Sequence, residues 1–342
     1  MAKARYLLFP WWLAEVGTSA KSFADNPVIG SPALNRLGLH VGRAKWAATI
    51  AALRRRRLRH LVSAEDRAAF ARDGFVLKRD FLPAEQFAAL RAQALAHSAP
   101  AREMRQGDTV TRRLAIDDAA LATMPALAAM LGGAVWRGLT RYVWSFDADP
   151  DVYIQSILSR VHDDEPDPQT ALHADTFHST VKAWLFLTDV AEDEGPFVYV
   201  PGSHRMTARR LAWERRRSIA ARELDILSSR GSLRIEEGEL SRLGLPHPRS
   251  FVVPANTLIV ADTSGFHARG PSVRPSTRIE IWAFGRRNPF LPWTGLDPFG
   301  VPGIAERRVR WMWAVRDRLA GAGLIGQPWR DVGLRTPAEP VS

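Results

Sequence analysis

Cysteine is absent from all 342 residues of the sequence. This excludes a disulfide framework and a thiolate metal site, so a metal ion would have to be held by histidine and carboxylate side chains. A long hydrophobic stretch is also missing, because the apolar run at residues 6–13 is far shorter than the ~20 residues that span a bilayer and is interrupted by Pro10. We therefore expect no transmembrane helix and predict a cytoplasmic protein.

Lysine is scarce. It occurs only at positions 3, 21, 45, 78 and 182, so nearly all of the 47 basic residues are arginine. With 36 acidic residues the formal net charge is +11, and a basic surface of this kind attracts phosphate groups, anionic lipid head groups or acidic substrates. The content of hydrophobic residues, 46%, is ample for a buried core, so we expect a globular chain.

Composition divides the chain into three predicted parts. Residues 1–61 form a basic and aromatic extension, with Trp11 and Trp12 near its start and an arginine-rich run at 54–59. We expect this extension either to make a peripheral contact with an anionic membrane or to pack onto the domain that follows. Residues 62–290 form the main domain, with an arginine-rich insertion at about 207–238, and residues 291–342 form a tail with one helix. No base-reading module is recognisable, so nucleic acid is not an expected partner.

The sequence pattern of the main domain is typical of an antiparallel β protein. Ser63 is a candidate helix cap, Gly74 is expected to end that helix, and residues 75–78 are predicted to form a strand. From residue 151 onward, short apolar runs alternate with turn residues, at 152–158, 181–187, 197–200, 251–253, 257–260 and 279–284. Short strands without a βαβ rhythm predict a mainly β fold with flanking helices (α+β), arranged as a sandwich or jelly roll.

Three residues form a candidate metal site: His173 and Asp175, separated by one residue, and His267, about ninety residues later. Two imidazoles and one carboxylate are the set that holds non-haem Fe(II) by one face and leaves three coordination positions open. If residues 173–175 lie in a strand, positions two apart point to the same face, so both side chains can reach one ion. The alternative is three unrelated polar residues, one of them a hydrogen-bonded core histidine.

Arg278 is the best candidate to bind a dicarboxylate co-substrate, because arginine pairs with a carboxylate through two hydrogen bonds and a strand could bring it beside the metal. Arg269 and Arg274 also follow His267 closely and stay open as alternatives. Trp184 either forms a wall of the co-substrate pocket or is an ordinary core residue. Two further histidines, His162 and His178, flank the first two ligands and are candidates to face a substrate.

In their order along the chain, these motifs resemble the phytanoyl-CoA dioxygenase family of Fe(II)/2-oxoglutarate oxygenases. The resemblance rests on FARDGFVL at 70–77, the His173-Ala174-Asp175 motif, EGP at 194–196 followed by VPGSHR at 200–205, and the spacing from His267 to Arg278. It extends from about residue 62 to about residue 287. Ser272 and Arg274 stand where members of the family often have Asn and Ser.

The resemblance implies a double-stranded β-helix core, a cupin-like jelly roll, with helices packed outside it. It implies that His173, Asp175 and His267 hold Fe(II), that Arg278 pairs with the far carboxylate of 2-oxoglutarate, and that dioxygen is the second co-substrate. His204, in the VPGSHR turn, is then structural and not a ligand. Related oxygenases that transfer a halide have a small residue in place of Asp175, so its presence favours hydroxylation or another C–H oxidation.

The function predicted from these observations is a dioxygenase that hydroxylates a small-molecule or lipid-like substrate and releases succinate and CO2. The alternative is a non-catalytic β-helix module that binds an anionic membrane or an anionic ligand through the arginine-rich ends. Turnover of 2-oxoglutarate to succinate distinguishes the two. The motifs specify neither the substrate nor an oligomeric state.

Overall fold

The computed structural model of the protein describes residues 9–162, 165, 167–297, 300–301, 303–305 and 307–341. The strands within these ranges are β1 (Phe75–Lys78), β2 (Ala99–Gln106), β3 (Thr109–Ala115), β4 (Asp151–Ser159), β5 (Val181–Phe186), β6 (Phe197–Tyr199), β7 (Arg249–Phe251), β8 (Leu258–Ala261), β9 (His267–Arg269), β10 (Ser276–Gly285) and β11 (Arg330–Arg335). They form two antiparallel sheets, a large one in the order β1-β8-β5-β10-β4-β3-β2-β11 and a small one in the order β7-β6-β9.

The helices lie before, between and after these strands. They are α1 (Phe9–Glu15), α2 (Pro32–Arg36), α3 (Leu39–Leu58), α4 (Ala64–Asp73), α5 (Ala84–Ala96), α6 (Asp118–Thr123), α7 (Pro125–Gly132), α8 (Ala134–Trp144), α9 (Ala208–Ile219), α10 (Ile226–Ser229), α11 (Glu237–Leu243) and α12 (Arg308–Gly321). Among the described residues, every helix is too short or too polar to cross a membrane.

The central strands of the large sheet are buried on both faces, as their alternate side chains show. On β5, Ala183 and Leu185 join a core that includes residues of α5, α7 and α8, whereas Trp184 and Phe186 face the small sheet. Strand side chains two apart share a face, so each central strand contributes to both cores. The prediction of a mainly β protein with flanking helices and a double-stranded β-helix core is confirmed.

Local sequence signals fix the helix that precedes β1. The Ser63 hydroxyl caps α4 by accepting a hydrogen bond from the amide of Asp66, at 3.0 Å. Gly74 ends the helix in the left-handed region, with φ of +88°, and a Cβ there would lie 2.5 Å from the His204 imidazole and 2.6 Å from the Tyr199 hydroxyl. Glycine is therefore required both by the backbone conformation and by the packing of the turn that contains His204.

The described part of the amino-terminal extension packs onto the domain. Phe23 and Ile29 share a core with Phe266, next to the candidate metal ligand His267. In the arginine-rich run, the buried Arg54 donates hydrogen bonds to backbone carbonyls, including that of Pro289 at 3.0 Å, and Arg55 pairs with Asp262 at 2.9 Å. These two arginines therefore stabilise the fold instead of forming a solvated face.

Four strands were missed by sequence analysis: β2, β3, β9 and β11. Each contains arginine where an ordinary strand has apolar residues, so no apolar run marks them. The strand predicted at 251–253 is observed as β7, which ends at Phe251, whereas Val253 forms a separate antiparallel bridge with Val190. Arg112, in β3, is fully buried and donates hydrogen bonds to the carbonyls of Glu339 and Pro340, which holds the tail beside the edge strand β11.

A buried charge network joins the extension to the insertion helix α9. Glu214 accepts a hydrogen bond from Arg210 at 2.8 Å and lies 2.6 Å from the Nε2 atom of His40, on α3. Burial would raise the pKa of the Glu214 carboxyl, but Arg210 and then His40 outweigh burial and lower that pKa from 4.5 to about 2. Removal of one partner of such a network leaves a buried charge without its counterpart.

We predict that Glu214→Gln lowers the free energy of unfolding at pH 7 by about 3–5 kcal/mol. In the wild type, this carboxylate stabilises the fold fully above its ordinary pKa of 4.5, and the contribution falls as the pH drops from 4.5 towards about 2, since the unfolded chain binds the proton first. Denaturant unfolding at several pH values tests this, with Glu85→Gln on the exposed face of α5 as the control. If wild type and Glu214→Gln lose stability in parallel on acidification, the assignment is wrong.

Candidate metal centre

The backbones of His173 and His267 are paired. The amide of each donates to the carbonyl of the other, both at 2.9 Å, in an isolated antiparallel bridge that links the loop before β5 to strand β9. Directly opposed residues of an antiparallel pair project to the same side, so the two imidazoles lie together, with their ring centroids 4.5 Å apart. One pairing thus joins two motifs that lie far apart in the sequence.

Each imidazole is oriented by its own backbone. The Nδ1 atom of His173 lies 2.8 Å from the carbonyl of Ala171, and that of His267 lies 3.0 Å from the carbonyl of Gly265. A carbonyl only accepts, so both rings carry their proton on Nδ1 and leave the lone pair of Nε2 free. Gly265 is needed for this turn, because a Cβ there would lie 2.0 Å from the Tyr199 hydroxyl. Such second contacts are typical of histidines that bind metals.

Asp175 completes the cluster although residues 173–175 do not form a strand. Only His173 forms a β-bridge, and Asp175 follows in an irregular loop, so the alternation of a strand is not what orients this pair. Its amide donates to the carbonyl of Thr263 at 2.9 Å, and its Oδ2 accepts a hydrogen bond from the Thr263 hydroxyl at 2.6 Å. The 262–264 turn therefore replaces a regular strand ladder in orienting the carboxylate.

The three candidate ligand atoms converge. One oxygen or nitrogen of each of His173, Asp175 and His267 lies within 4.8 Å of the other two, and no other metal-binding group of this kind occurs among the described residues. The carboxylate oxygens are 3.8 Å from the Nε2 atom of His173 and 3.7 Å from that of His267. Two imidazoles and a carboxylate at these separations fit a divalent first-row metal ion bound on one face.

Burial keeps the imidazoles in the neutral form that binds metals. It lowers the pKa of His173 to about 4 and that of His267 to about 3, despite the opposing charge of Asp175. Burial alone would raise the pKa of the Asp175 carboxyl, but the Lys182 ammonium, followed by His267 and His173, outweighs burial and holds this pKa well below 3.8. At neutral pH the cluster is therefore two neutral nitrogen donors and one carboxylate.

A lysine ammonium lies against the same cluster. The Nζ atom of Lys182, on β5, is 2.6 Å from Asp175 Oδ2 and 3.5 Å from His267 Nε2. A cation is therefore already stabilised where these donors converge. Lys182 occupies Oδ2, whereas Oδ1 of the same carboxylate lies 3.8 Å from His173 Nε2, so one carboxylate oxygen remains for a metal ion beside the ammonium.

The cluster lines a cavity of about 370 Å³ between the two sheets. Arg278 and Trp184, the residues predicted for the co-substrate, also line it. Arg278 donates from Nε to Glu280 at 3.0 Å and from Nη1 to the carbonyl of Gly195, which fixes the plane of its guanidinium. The structure therefore places all five residues predicted from sequence around one cavity.

The alternative residues are placed differently. Arg269 lines the cavity but is paired with the buried Asp167, whereas Arg274 has 53% of its side chain exposed and pairs with Asp193 on the surface. His178 and His204 line a separate cavity of about 650 Å³ near α3 and α4. His162 is absent from the lining of both cavities.

Four cationic residues of the cavity were missed by sequence analysis: Lys21, Lys182, Arg113 and Arg286. Lys21 comes from the extension, and its Nζ donates to the backbone carbonyl of Asp175 and to the Ser232 hydroxyl, both at 2.6 Å. Lysine is rare in this arginine-rich chain, yet two of the five lysines lie here. The rarity of lysine sets these two residues apart in the sequence but assigns them no role, and nothing distinguishes the two arginines from the many others.

Solved structures of similar fold include the non-heme alpha ketoglutarate dependent epimerase SnoN from nogalamycin biosynthesis, at 20% identity and a TM-score of 0.41, covering 70% of this chain and 93% of that one. HygX from Streptomyces hygroscopicus, with nickel and 2-oxoglutarate bound, has 17% identity and a TM-score of 0.43, with coverage of 71% and 94%. The carbocyclase SnoK has 19% identity and a TM-score of 0.43, with coverage of 80% and 97%. No curated protein matches the chain.

The family model for phytanoyl-CoA dioxygenase (PhyH) matches residues 70–241. This span is about half of the chain and includes the His173-Ala174-Asp175 motif and the VPGSHR turn. The match agrees with the resemblance drawn from the motifs and indicates oxygenase-type chemistry that depends on iron and 2-oxoglutarate. The chain belongs to the phytanoyl-CoA dioxygenase (PhyH) family.

Proposed function

We propose that the protein is an Fe(II)- and 2-oxoglutarate-dependent dioxygenase that hydroxylates a small-molecule or lipid-like substrate. The observation that carries this proposal is the convergence of two Nδ1-anchored imidazoles and one carboxylate, with ligand atoms within 4.8 Å of one another. In this proposal, His173, Asp175 and His267 hold the metal. Fe(II) bound there supplies, with dioxygen, the chemistry that couples decarboxylation of 2-oxoglutarate to succinate with oxidation of a substrate C–H bond.

Arg278 binds the far carboxylate of 2-oxoglutarate in this proposal. Its Nε and Nη1 atoms are engaged by Glu280 and Gly195, while Nη2 donates no hydrogen bond to the described residues and stays available to a ligand. Trp184 packs against Phe197, with ring centroids 4.2 Å apart, and provides an apolar wall for the carbon chain. The buried walls also limit the access of water to the reacting groups.

The metal assignment predicts that wild-type protein binds one Fe(II) per chain and forms succinate from 2-oxoglutarate. His267→Ala should lose both, because two remaining donors cannot define the bound face. Elemental analysis and succinate assays test this, and His247→Ala, which changes an exposed histidine, is the matched control. Stoichiometric iron in the His267→Ala protein would refute the three-residue site.

The co-substrate assignment predicts that Arg278→Lys weakens 2-oxoglutarate binding more than iron binding, since a point charge replaces a two-pronged donor. A hydrogen bond to a charged group contributes about 1.5–3 kcal/mol, which corresponds to a roughly 10- to 150-fold loss of affinity. Calorimetric titration of the metal-loaded protein measures it. Arg274→Lys, on the surface, should leave the affinity unchanged; the reverse pattern would show that the residue has been misassigned.

A second candidate role, peripheral contact with an anionic membrane, is favoured by one observation. Helix α1 exposes three large apolar side chains, Phe9 at 52%, Trp11 at 63% and Leu13 at 56%. Exposed aromatic residues in a basic chain suit a membrane interface. The role is compatible with catalysis, because α1 is absent from the lining of the metal cavity.

If α1 contacts membranes, full-length protein should sediment with anionic liposomes at low salt and much less at high salt, where charge attraction is screened. Trp11→Ser should reduce sedimentation several-fold at low salt because it removes an exposed apolar anchor. Thr49→Ser, an exposed change on α3, is the control. Protein that stays in the supernatant at low salt excludes the membrane role.

A further inference from the structure

The metal cavity carries more positive charge than the proposed metal and co-substrate use. Six cationic side chains line it: Lys21, Lys182, Arg113, Arg269, Arg278 and Arg286. Three of these have carboxylate partners, since Lys182 pairs with Asp175, Arg269 with Asp167 and Arg278 with Glu280. The other three form no ion pair within the described part of the chain.

The charges of the proposed ligands do not cancel this excess of positive charge in the cavity. Fe(II) adds two positive charges and 2-oxoglutarate adds two negative charges, so together they leave the balance of the cavity unchanged. Three cations without carboxylate partners remain in a cleft between low-dielectric walls, which concentrates their field on whatever enters. A neutral substrate would leave that field unused, whereas an anionic substrate would be attracted by it.

Of the three cations without a carboxylate partner, Arg113 has the contacts that best prepare it to bind an anion. Its guanidinium carbon lies 3.9 Å from the ring centre of Trp282 and 4.5 Å from that of Trp329. Its Nε donates to the Gln155 side chain at 2.8 Å, and Gln155 is held in turn by Glu280 at 2.7 Å. The Nη1 and Nη2 atoms donate no hydrogen bond to any residue that the structure describes. Two indoles and an amide thus hold a guanidinium whose two terminal nitrogens remain available.

The position of Arg113 separates it from the proposed 2-oxoglutarate site. In the sheet, Arg113 pairs with Gln155, and Gln155 pairs with Glu280, so β3 lies two strands from the strand that carries Arg278. Neighbouring strands are about 4.8 Å apart, which puts the backbone of Arg113 roughly 10 Å from β10. Arg278 is held by Glu280 and the carbonyl of Gly195, whereas Arg113 is held by Gln155, so the terminal nitrogens of Arg113 can bind a second anion.

Part of the wall beside Arg113 comes from the tail of the chain. Trp329 lies beyond residues 70–241, which the family model matches. Trp329 directly precedes β11, which pairs with β2 from Arg330 opposite Glu103 onward. The Gln327 side chain also accepts a hydrogen bond from the Trp329 amide at 3.4 Å. The tail therefore supplies part of the cavity that the family match does not account for.

We propose that Arg113, flanked by Trp282 and Trp329, binds an anionic group of the substrate, namely a carboxylate, a phosphate or a sulfate. This inference rests on the proposed function, because it assigns the substrate side of the same cavity. The two terminal nitrogens of a guanidinium match two oxygens of such a group. Although burial lowers the pKa of Arg113 to about 10, the side chain stays charged at neutral pH. Lys21 and Arg286 line the same cavity and add to the field that attracts such a group.

Matched probe pairs test the proposal without knowledge of the substrate. Benzoate is compared with benzamide, and phenyl phosphate with phenol, by calorimetric titration of the Fe(II)- and 2-oxoglutarate-loaded full-length protein kept anaerobic. We expect at least one anion to bind tenfold or more tightly than its neutral partner, a difference of about 1.4 kcal/mol. The better of the two anions also indicates which kind of anionic group the cavity prefers.

Single-residue variants test whether Arg113 causes the preference for the anionic probe over its neutral partner. Arg113→Gln should abolish the preference for the anion, Arg113→Lys should retain part of it, and Arg274→Gln, a surface change, should retain all of it. Equal binding of anion and neutral partner by the wild type, or no measurable binding of either anion, overturns the proposal. So does an Arg113→Gln protein that keeps the preference, or one whose affinity for 2-oxoglutarate falls as much as its affinity for the anion.

The same samples separate this inference from the proposed function. Succinate formation by the wild type, measured after air is admitted, reports on the oxygenase chemistry alone. A wild type that discriminates between the probes but forms no succinate contradicts the proposed function and leaves a cavity that selects anions. One that forms succinate but does not discriminate contradicts only the assignment of Arg113.

Discussion

Two backbone hydrogen bonds between His173 and His267, each of 2.9 Å, are the contact on which the rest of the site depends. They join the loop before β5 to the small sheet and set the two imidazoles on one side. The carbonyls of Ala171 and Gly265 then fix the ring protons, and Thr263 orients the carboxylate of Asp175. Loss of this pairing would remove the contact that sets the two imidazoles side by side, so the geometry of the site depends on how the loop before β5 packs against the small sheet.

Charge is the second constraint on this cavity. Asp175 lies next to Lys182, and further cations surround the pair, so the site attracts anions even before a metal is considered. The extension and the tail both contribute, through Lys21 and Trp329. Segments on either side of the family-matched region thus shape the cavity, which is where specificity is expected when a common scaffold supports different substrates.

Much of the fold could be predicted from the sequence, because short apolar runs bounded by turn residues mark β4, β5 and β10. Strands β2 and β3 could not, since arginines such as Arg112 and Arg113 occupy positions where a strand signal needs apolar residues. The residues of the candidate site were predictable from the spacing of His173, Asp175 and His267. The roles of Lys21 and Lys182 were not, because only tertiary packing brings a residue of the extension and a residue of β5 to one carboxylate.

The central claim is that one site binds metal and 2-oxoglutarate together. Equilibrium binding of labelled 2-oxoglutarate, measured under anaerobic conditions with and without Fe(II), tests it most directly. The account predicts that Fe(II) raises the affinity at least tenfold, which is a coupling free energy of about 1.4 kcal/mol, and that 2-oxoglutarate raises the affinity for Fe(II) by the same factor. Equal affinity for 2-oxoglutarate in the presence and absence of Fe(II) would contradict the account.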